Sequence, residues 1–355
     1  MGRVFYATNR NPDNAAQPTS FGIDFNGPLP GNLIFGVADA TVAQGHDPNG
    51  MPLEAAGPSA IQLSDAAPGD FSAAAKQQIV NGPPHLLVSL HGFQYLYWEA
   101  IARADYLSRW FAEGQFANAN TTIAITWPSA GQFSQYDRDW KYSTDSAAAL
   151  TQALAVLKPL IDAFRAHHGD AAHVTLLAHS MGNHLLDAGL GAMTPASPPT
   201  YNRIILAAAD EGRNELAPGA NLAKARALAD RVYVYYNNQD LALAASELVF
   251  HDFIVRLGVD GPPNKDDFKG TNVTFINASA AGAGTGPNSY DSEGHQYYRM
   301  IQEVRNDICA VMRGMADSAV PNRIYRDDPK YGWENYWRID TMTRLNTLPD
   351  PRHGR

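Results

Sequence analysis

Residues 174–186 read VTLLAHSMGNHLL, and the fold turns on that stretch. The apolar run Val174 to Leu177 stops abruptly at small and polar residues, and Leu185 and Leu186 then restore apolar content beyond them. A buried strand that bends sharply into a helix needs small neighbours at the bend, because strand and helix approach closely and the turn residue is strained. Ala178 and Gly182 supply them, two positions to either side of Ser180. Such a turn lifts a hydroxyl clear of a sheet and aims the amides of the helix start at the same point. Ser180 is therefore the candidate nucleophile, with Ala178 where the commoner pattern has Gly.

Working outward, β-branched or aliphatic runs alternate with longer helical patterns, the signature of a mostly parallel sheet covered by helices. Eight strands are expected: Val4 to Ala7, Leu33 to Val42, Leu86 to Leu90, Thr122 to Thr126, Val174 to Leu177, Ile204 to Ala208, Val232 to Tyr236 and Val273 to Ile276. Several are apolar throughout, as strands buried on both faces are. Helices are expected over Tyr97 to Glu113, Ser146 to His167 with a kink at Pro159, Ser180 to Leu190, and His295 to Met315. Residues 1–316 form one catalytic domain, its first 80 residues adding leading strands and wrapping loops. Residues 241–267 read as a lid or a buried wall, and 317–355 as a tail packed on the domain.

Composition narrows the function classes. A hydrophobic fraction of 45% and a charged fraction of 18% fit an ordinary globular protein, and a net charge of −9 repels polyanions such as nucleic acid. The single cysteine, Cys309, allows no internal disulfide and no multi-cysteine zinc site. With no HExxH-type spacing either, neither a metal nor any other cofactor is expected. The opening MGRVFYATNR has no signal-peptide character, and no stretch reaches about 18 apolar residues, so a cytoplasmic protein without a membrane span is expected.

A hydroxyl is a poor nucleophile without a base, and the fold places that base late in the chain. His295, in SEGH ahead of the last helix, fits; the preceding AGAGTG reads as a flexible connector. The acid that orients it lies between Ser and His in chain order, at a strand end. Asp240, after the strand VYVYY, is favoured over Asp210, after IILAAA. Their plainer roles would be a helix N-cap for Asp240 and a pairing with Arg213 for Asp210. Amides of Met181 and of Phe93, in the loop HGF, are the expected oxyanion donors. Gln94, Tyr95, Trp127 and His179 are the expected substrate contacts.

The segments VFYATNR, FGVADATV, HGFQYLYWEA, TWPSAGQFSQYDRD and AHSMGNHLL, with the late GlyHis, resemble a poorly characterised bacterial α/β-hydrolase family of the esterase/lipase superfamily. The resemblance runs to about Met315. It implies the α/β-hydrolase fold, with a mostly parallel sheet of about eight strands and helices on both faces. At matching positions it implies a triad of Ser180, Asp240 and His295. The expected activity is cleavage of a small apolar or aromatic carboxylic ester through an acyl-enzyme. An amidase, peptidase or thioesterase on the same residues, and a non-catalytic binding module on this scaffold, are the alternatives.

Overall fold

Alternating side chains of the central strands enter two separate cores, which obliges the sheet to carry a helical layer on each face. The computed structural model describes residues 2–42, 45–46, 52–53, 58–113, 119–194, 198–281, 294–325 and 335–339. Most of the AGAGTG connector, Ser292, Glu293, Tyr331 and Trp333 lie outside the described residues.

The main sheet has eleven strands: β1 (Gly2–Thr8), β2 (Ile34–Val42), β3 (Pro58–Pro68), β4 (His85–Leu90), β5 (Thr121–Thr126), β6 (His173–His179), β7 (Tyr201–Ala207), β8 (Ala229–Tyr236), β9 (Val273–Asn277), β10 (Arg323–Tyr325) and β11 (Tyr336–Ile339). Their order is β10-β11-β9-β8-β7-β6-β4-β5-β1-β2-β3. Pairing is parallel from β1 through β11 and antiparallel only at the flanks, in β1/β2, β2/β3 and β10/β11. All eight expected strands are present, and β3, β10 and β11 are additional.

Around the sheet lie α1 (Ala73–Val80), α2 (Tyr97–Phe111), α3 (Tyr136–Asp145), α4 (Ala147–His168), α5 (Gly182–Gly191), α6 (Leu241–Phe250) and α7 (Gln302–Met312). Leu86, Val88, Val174, Leu176, Ile204 and Val232 face α1, α4 and α5. Leu87, Leu177, Ile205, Tyr233 and Tyr235 face α2 and α7 on the other side. This period-2 division is what a strand buried on both faces requires.

Three boundaries differ from the sequence reading. The helix expected from Ser180 begins at Gly182, because Ser180 has φ +53 and cannot itself be helical. The last expected helix is two pieces, Tyr297–Met300 and α7, separated where β-branched Ile301 is extended (φ −103, ψ 119). α4 runs unbroken through Pro159, and within residues 147–171 it reaches a mean hydropathy of 1.4. By length and composition it is apolar enough to cross a membrane, where the sequence reading expected no such stretch. In this fold Leu150, Leu154, Leu157, Ile161 and Phe164 on one of its faces are buried in the core.

Of the residues read as a tail, β10 is fixed by charge as well as by pairing. Arg323 of β10 is fully buried and donates from Nε and Nη2 to the two oxygens of Asp307 on α7, at 2.6 and 2.7 Å. Its Nη1 reaches Asp317 at 2.9 Å. β11 then pairs in parallel with β9, setting Phe275 opposite Tyr336.

Candidate active site

The carboxyl ends of β4, β6, β7 and β8 deliver His91, Ser180, Asp210 and Asp240 to one edge of the sheet, where open α/β sheets bind ligands. Ser180 holds its left-handed backbone because its surroundings pin it. Its N–H donates to Ala207 O at 3.1 Å, and its carbonyl accepts from Asn183 N–H at 2.9 Å and Asp210 N–H at 3.3 Å. The Asn183 side-chain amide also donates to Ser180 O at 3.0 Å and Ala178 O at 3.2 Å. Asn183 is fully buried and went unremarked in the sequence, since an Asn in the first turn of a helix has no distinctive spacing.

Two glycines admit the neighbouring loop. A Cβ on Gly92 would lie 2.7 Å from the Ser180 Cβ, and one on Gly182 would lie 2.7 Å from His91 O. Loop and elbow are thus in backbone contact, which only glycine permits.

The loop after β4 is held from behind by the motif after β5. Trp127 donates from its indole to His91 O at 3.1 Å and from its amide to His91 Nε2 at 3.3 Å, with the two rings stacked. His91 Nδ1–H consequently donates to Gly92 O at 2.8 Å. Burial depresses the His91 imidazole to about 3, so it stays neutral. Trp127 was expected to touch substrate. It is instead 1% exposed and absent from the cavity lining, because its indole is committed to fixing the loop.

Ser129 accepts Tyr95 N–H at 3.0 Å and donates to buried Asp139 at 2.5 Å. Arg10 donates to Tyr95 O at 2.7 Å and Ser129 O at 3.0 Å. It is wholly buried, and desolvation lowers its guanidinium to about 9, still charged at neutral pH.

His295 Nδ1 meets Asp240 Oδ2 at 2.7 Å, the carboxylate being fully buried. The other oxygen of Asp240 accepts Leu243 N–H at 2.9 Å and so caps α6. The sequence posed an acid beside His295 and a helix N-cap as alternatives for Asp240, and in the structure one oxygen contacts His295 while the other caps α6. Asp210 is elsewhere engaged: Arg256 Nε donates to its Oδ1 at 3.0 Å, both side chains being 3% exposed. Arg213, the partner the sequence suggested, pairs instead with Asp260 at 3.2 Å.

His179 is buried, and desolvation lowers its imidazole well below the usual range. Its ring stacks on Tyr298, and its Nε2–H donates to His295 O at 3.4 Å. Asn237 Nδ2 holds the adjoining Gly294 O at 3.1 Å.

Ser180, His295, His179, Asp210, Gln94 and Tyr95 all line one cavity of about 200 Å³. Phe93, Phe133, Tyr136 and Phe250 give it aromatic walls, with Tyr136 stacked on Phe250 at 4.1 Å. Of the segment read as lid or wall, α6 contributes Leu243 and Ser246 to the lining while Leu248 and Val249 are exposed. Among the described residues, no group of three or more His, Cys, Asp or Glu side chains is arranged to hold a metal ion.

A family described as "Alpha/beta hydrolase of unknown function (DUF900)" matches residues 72–304. The chain belongs to that family. The DUF900 match takes in Ser180, Asp240 and His295 but not β1 to β3, β10 or β11. Arg10, which holds Tyr95 in place, therefore comes from outside the matched region. No curated protein matches the chain. Among solved structures, a Trichoderma reesei cutinase bound to a phosphonate inhibitor is 10% identical (TM-score 0.28), covering 52% of this chain and 82% of its own. A cutinase-like protein from Cryptococcus is 12% identical (TM-score 0.31), covering 65% and 96%. A siderophore hydrolase from Aspergillus fumigatus is 17% identical (TM-score 0.22), covering 42% of each chain.

Proposed function

We propose that this DUF900 chain is a serine hydrolase that cleaves carboxylic esters through an acyl-enzyme. The observation that carries the reading is the 2.7 Å contact of His295 Nδ1 with the buried Asp240 carboxylate, on the wall of the cavity that Ser180 also lines. With Nδ1–H donated to Asp240, the imidazole lone pair sits on Nε2, the tautomer a general base needs. His295 then takes the Ser180 proton as Oγ attacks the ester carbonyl, and returns it to the departing alkoxide. Water, deprotonated by the same ring, hydrolyses the acyl-serine and releases the acid.

The Met181 and Phe93 amides are the proposed oxyanion donors. Neither takes part in the described backbone hydrogen bonds that fix this region, which leaves both available to a ligand oxygen. Aromatic walls favour an apolar or aromatic group in the cavity.

A fluorophosphonate probe tests the assignment: it should label Ser180, and an activated nitrophenyl ester should give a burst of alcohol release. Ser180→Ala should abolish both, with a rate loss on the order of 10⁶. An unlabelled Ser180 in folded protein would remove the reading. A matched ester and amide pair separates the esterase from an amidase on the same residues.

A further inference from the structure

The wall of the cavity holds a polar cluster that the proposed chemistry does not use. Tyr136 Oη donates to Asp210 Oδ2 at 2.6 Å, Ser246 Oγ donates to Asp210 Oδ1 at 2.8 Å, and Arg256 Nε donates to the same Oδ1. Tyr136 Oη also lies 2.9 Å from Ser246 Oγ and 2.8 Å from His251 Nε2. Tyr136, Ser246 and Asp210 line the cavity, whereas Arg256 and His251 stand behind them.

Counting protons fixes what this patch offers. Each hydroxyl has one hydrogen: Tyr136 gives its own to Asp210 Oδ2, and Ser246 shares its own between Tyr136 Oη and Asp210 Oδ1, the oxygen that Arg256 also holds. His251 Nε2–H is left to donate to Tyr136 Oη. Ser246 Oγ, and the second lone pair of Asp210 Oδ2, remain as acceptors. The patch can receive hydrogen bonds and has none to give.

We infer that Asp210, Ser246 and Tyr136 form a specificity subsite for a substrate group bearing a hydrogen-bond donor, a hydroxyl or an amine, on a short chain. The inference rests on the ester-hydrolase reading and names its substrate class: small hydroxy- or amino-substituted esters rather than plain alkyl ones. The cavity of about 200 Å³ is below the usual range of roughly 300–1,000 Å³ for a drug-sized ligand, which limits the group to a few carbons. A site that hydrogen-bonds a substrate group discriminates against the analogue lacking it, because its buried polar atoms are then left unpaired.

The test compares nitrophenyl 3-hydroxybutyrate with nitrophenyl butyrate, and 4-hydroxybutyl acetate with butyl acetate, so that either side of the ester can enter. In one pair the hydroxylated ester should have at least about tenfold higher kcat/KM. Ser246→Ala and Tyr136→Phe, each checked for folding by thermal melting, should bring that ratio toward one. Equal kcat/KM within both pairs, or a ratio that survives both substitutions, overturns the inference. Calorimetric titration of the same pairs into Ser180→Ala protein reads the preference without turnover. If no ester is cleaved, a retained binding preference leaves the subsite standing while the hydrolase reading falls, and equal affinities remove the subsite itself.

Discussion

Asp240 divides its carboxylate, one oxygen receiving His295 at 2.7 Å and the other the Leu243 amide at 2.9 Å. The two functions can be separated by substitution. Asn caps a helix about as well as Asp, so Asp240→Asn should leave the melting temperature nearly unchanged. It should lower kcat on an activated ester by about 10⁴, because the amide no longer favours the required tautomer. Asp240→Ala should lose the cap as well, at about 1 kcal/mol in denaturant unfolding.

Asp210→Asn should behave in the opposite way. It strips the carboxylate from Arg256, whose charge is buried, and removing one partner of such a pair costs about 3–5 kcal/mol. The larger loss should appear in the urea midpoint. The double change Asp210→Leu with Arg256→Met should recover much of it, since no unpaired charge is then left inside.

Gly92→Ala tests the contact between loop and elbow. The new methyl would sit 2.7 Å from Ser180 Cβ and 3.1 Å from His179 O, so one of them must move. A displacement on the scale of 1 Å at a reacting group costs about 10²-fold. Turnover and the rate of fluorophosphonate labelling should fall together by that order.

Acid should destabilise the protein in a defined window. His91 and His179 are held neutral by burial, with His91 at about 3, whereas an unfolded imidazole protonates near 6.5. Below about pH 6.5 the unfolded chain binds protons that the native rings refuse, so stability falls as pH drops toward 3. The slope is about 1 kcal/mol per pH unit for each ring. Asp187 acts in the other sense. Burial, then Glu211, raises it to about 6, so its native form gains protons as pH falls from 6 to about 4 and offsets part of the loss. Unfolding midpoints at pH 7, 5.5 and 4 measure the balance, and a flat profile would refute it.

The central strands were legible because they are apolar along their whole length, and burial on both faces demands that. β3 was not. PSAIQLSDAAP carries only Ile61 and Leu63 on one half-covered face of a flank strand, too short an alternation to stand out among Ala and Pro. β10 and β11 were hidden differently, their three and four residues depending on the remote Arg323–Asp307 pair and on β9. Ser180 was readable because strand, turn and helix are contiguous there. The choice between Asp240 and Asp210 was weaker, since both follow strands that end on the same edge. What separates them in space is Arg256, which no spacing rule connects with Asp210. The acceptor patch was invisible for the same reason, being assembled from α3, α6 and the end of β7.

Parallel insertion of β11 beside β9 also bears on biosynthesis. As the nascent chain leaves the ribosome, β9 emerges well before the residues around Tyr336 that will cover its flank. Until they arrive, β9 presents unpaired backbone groups that can recruit strands from other molecules. Production in the cell should therefore depend on chaperone capacity during that interval, and premature termination between His295 and β11 should yield insoluble product even though Ser180, Asp240 and His295 have all been translated.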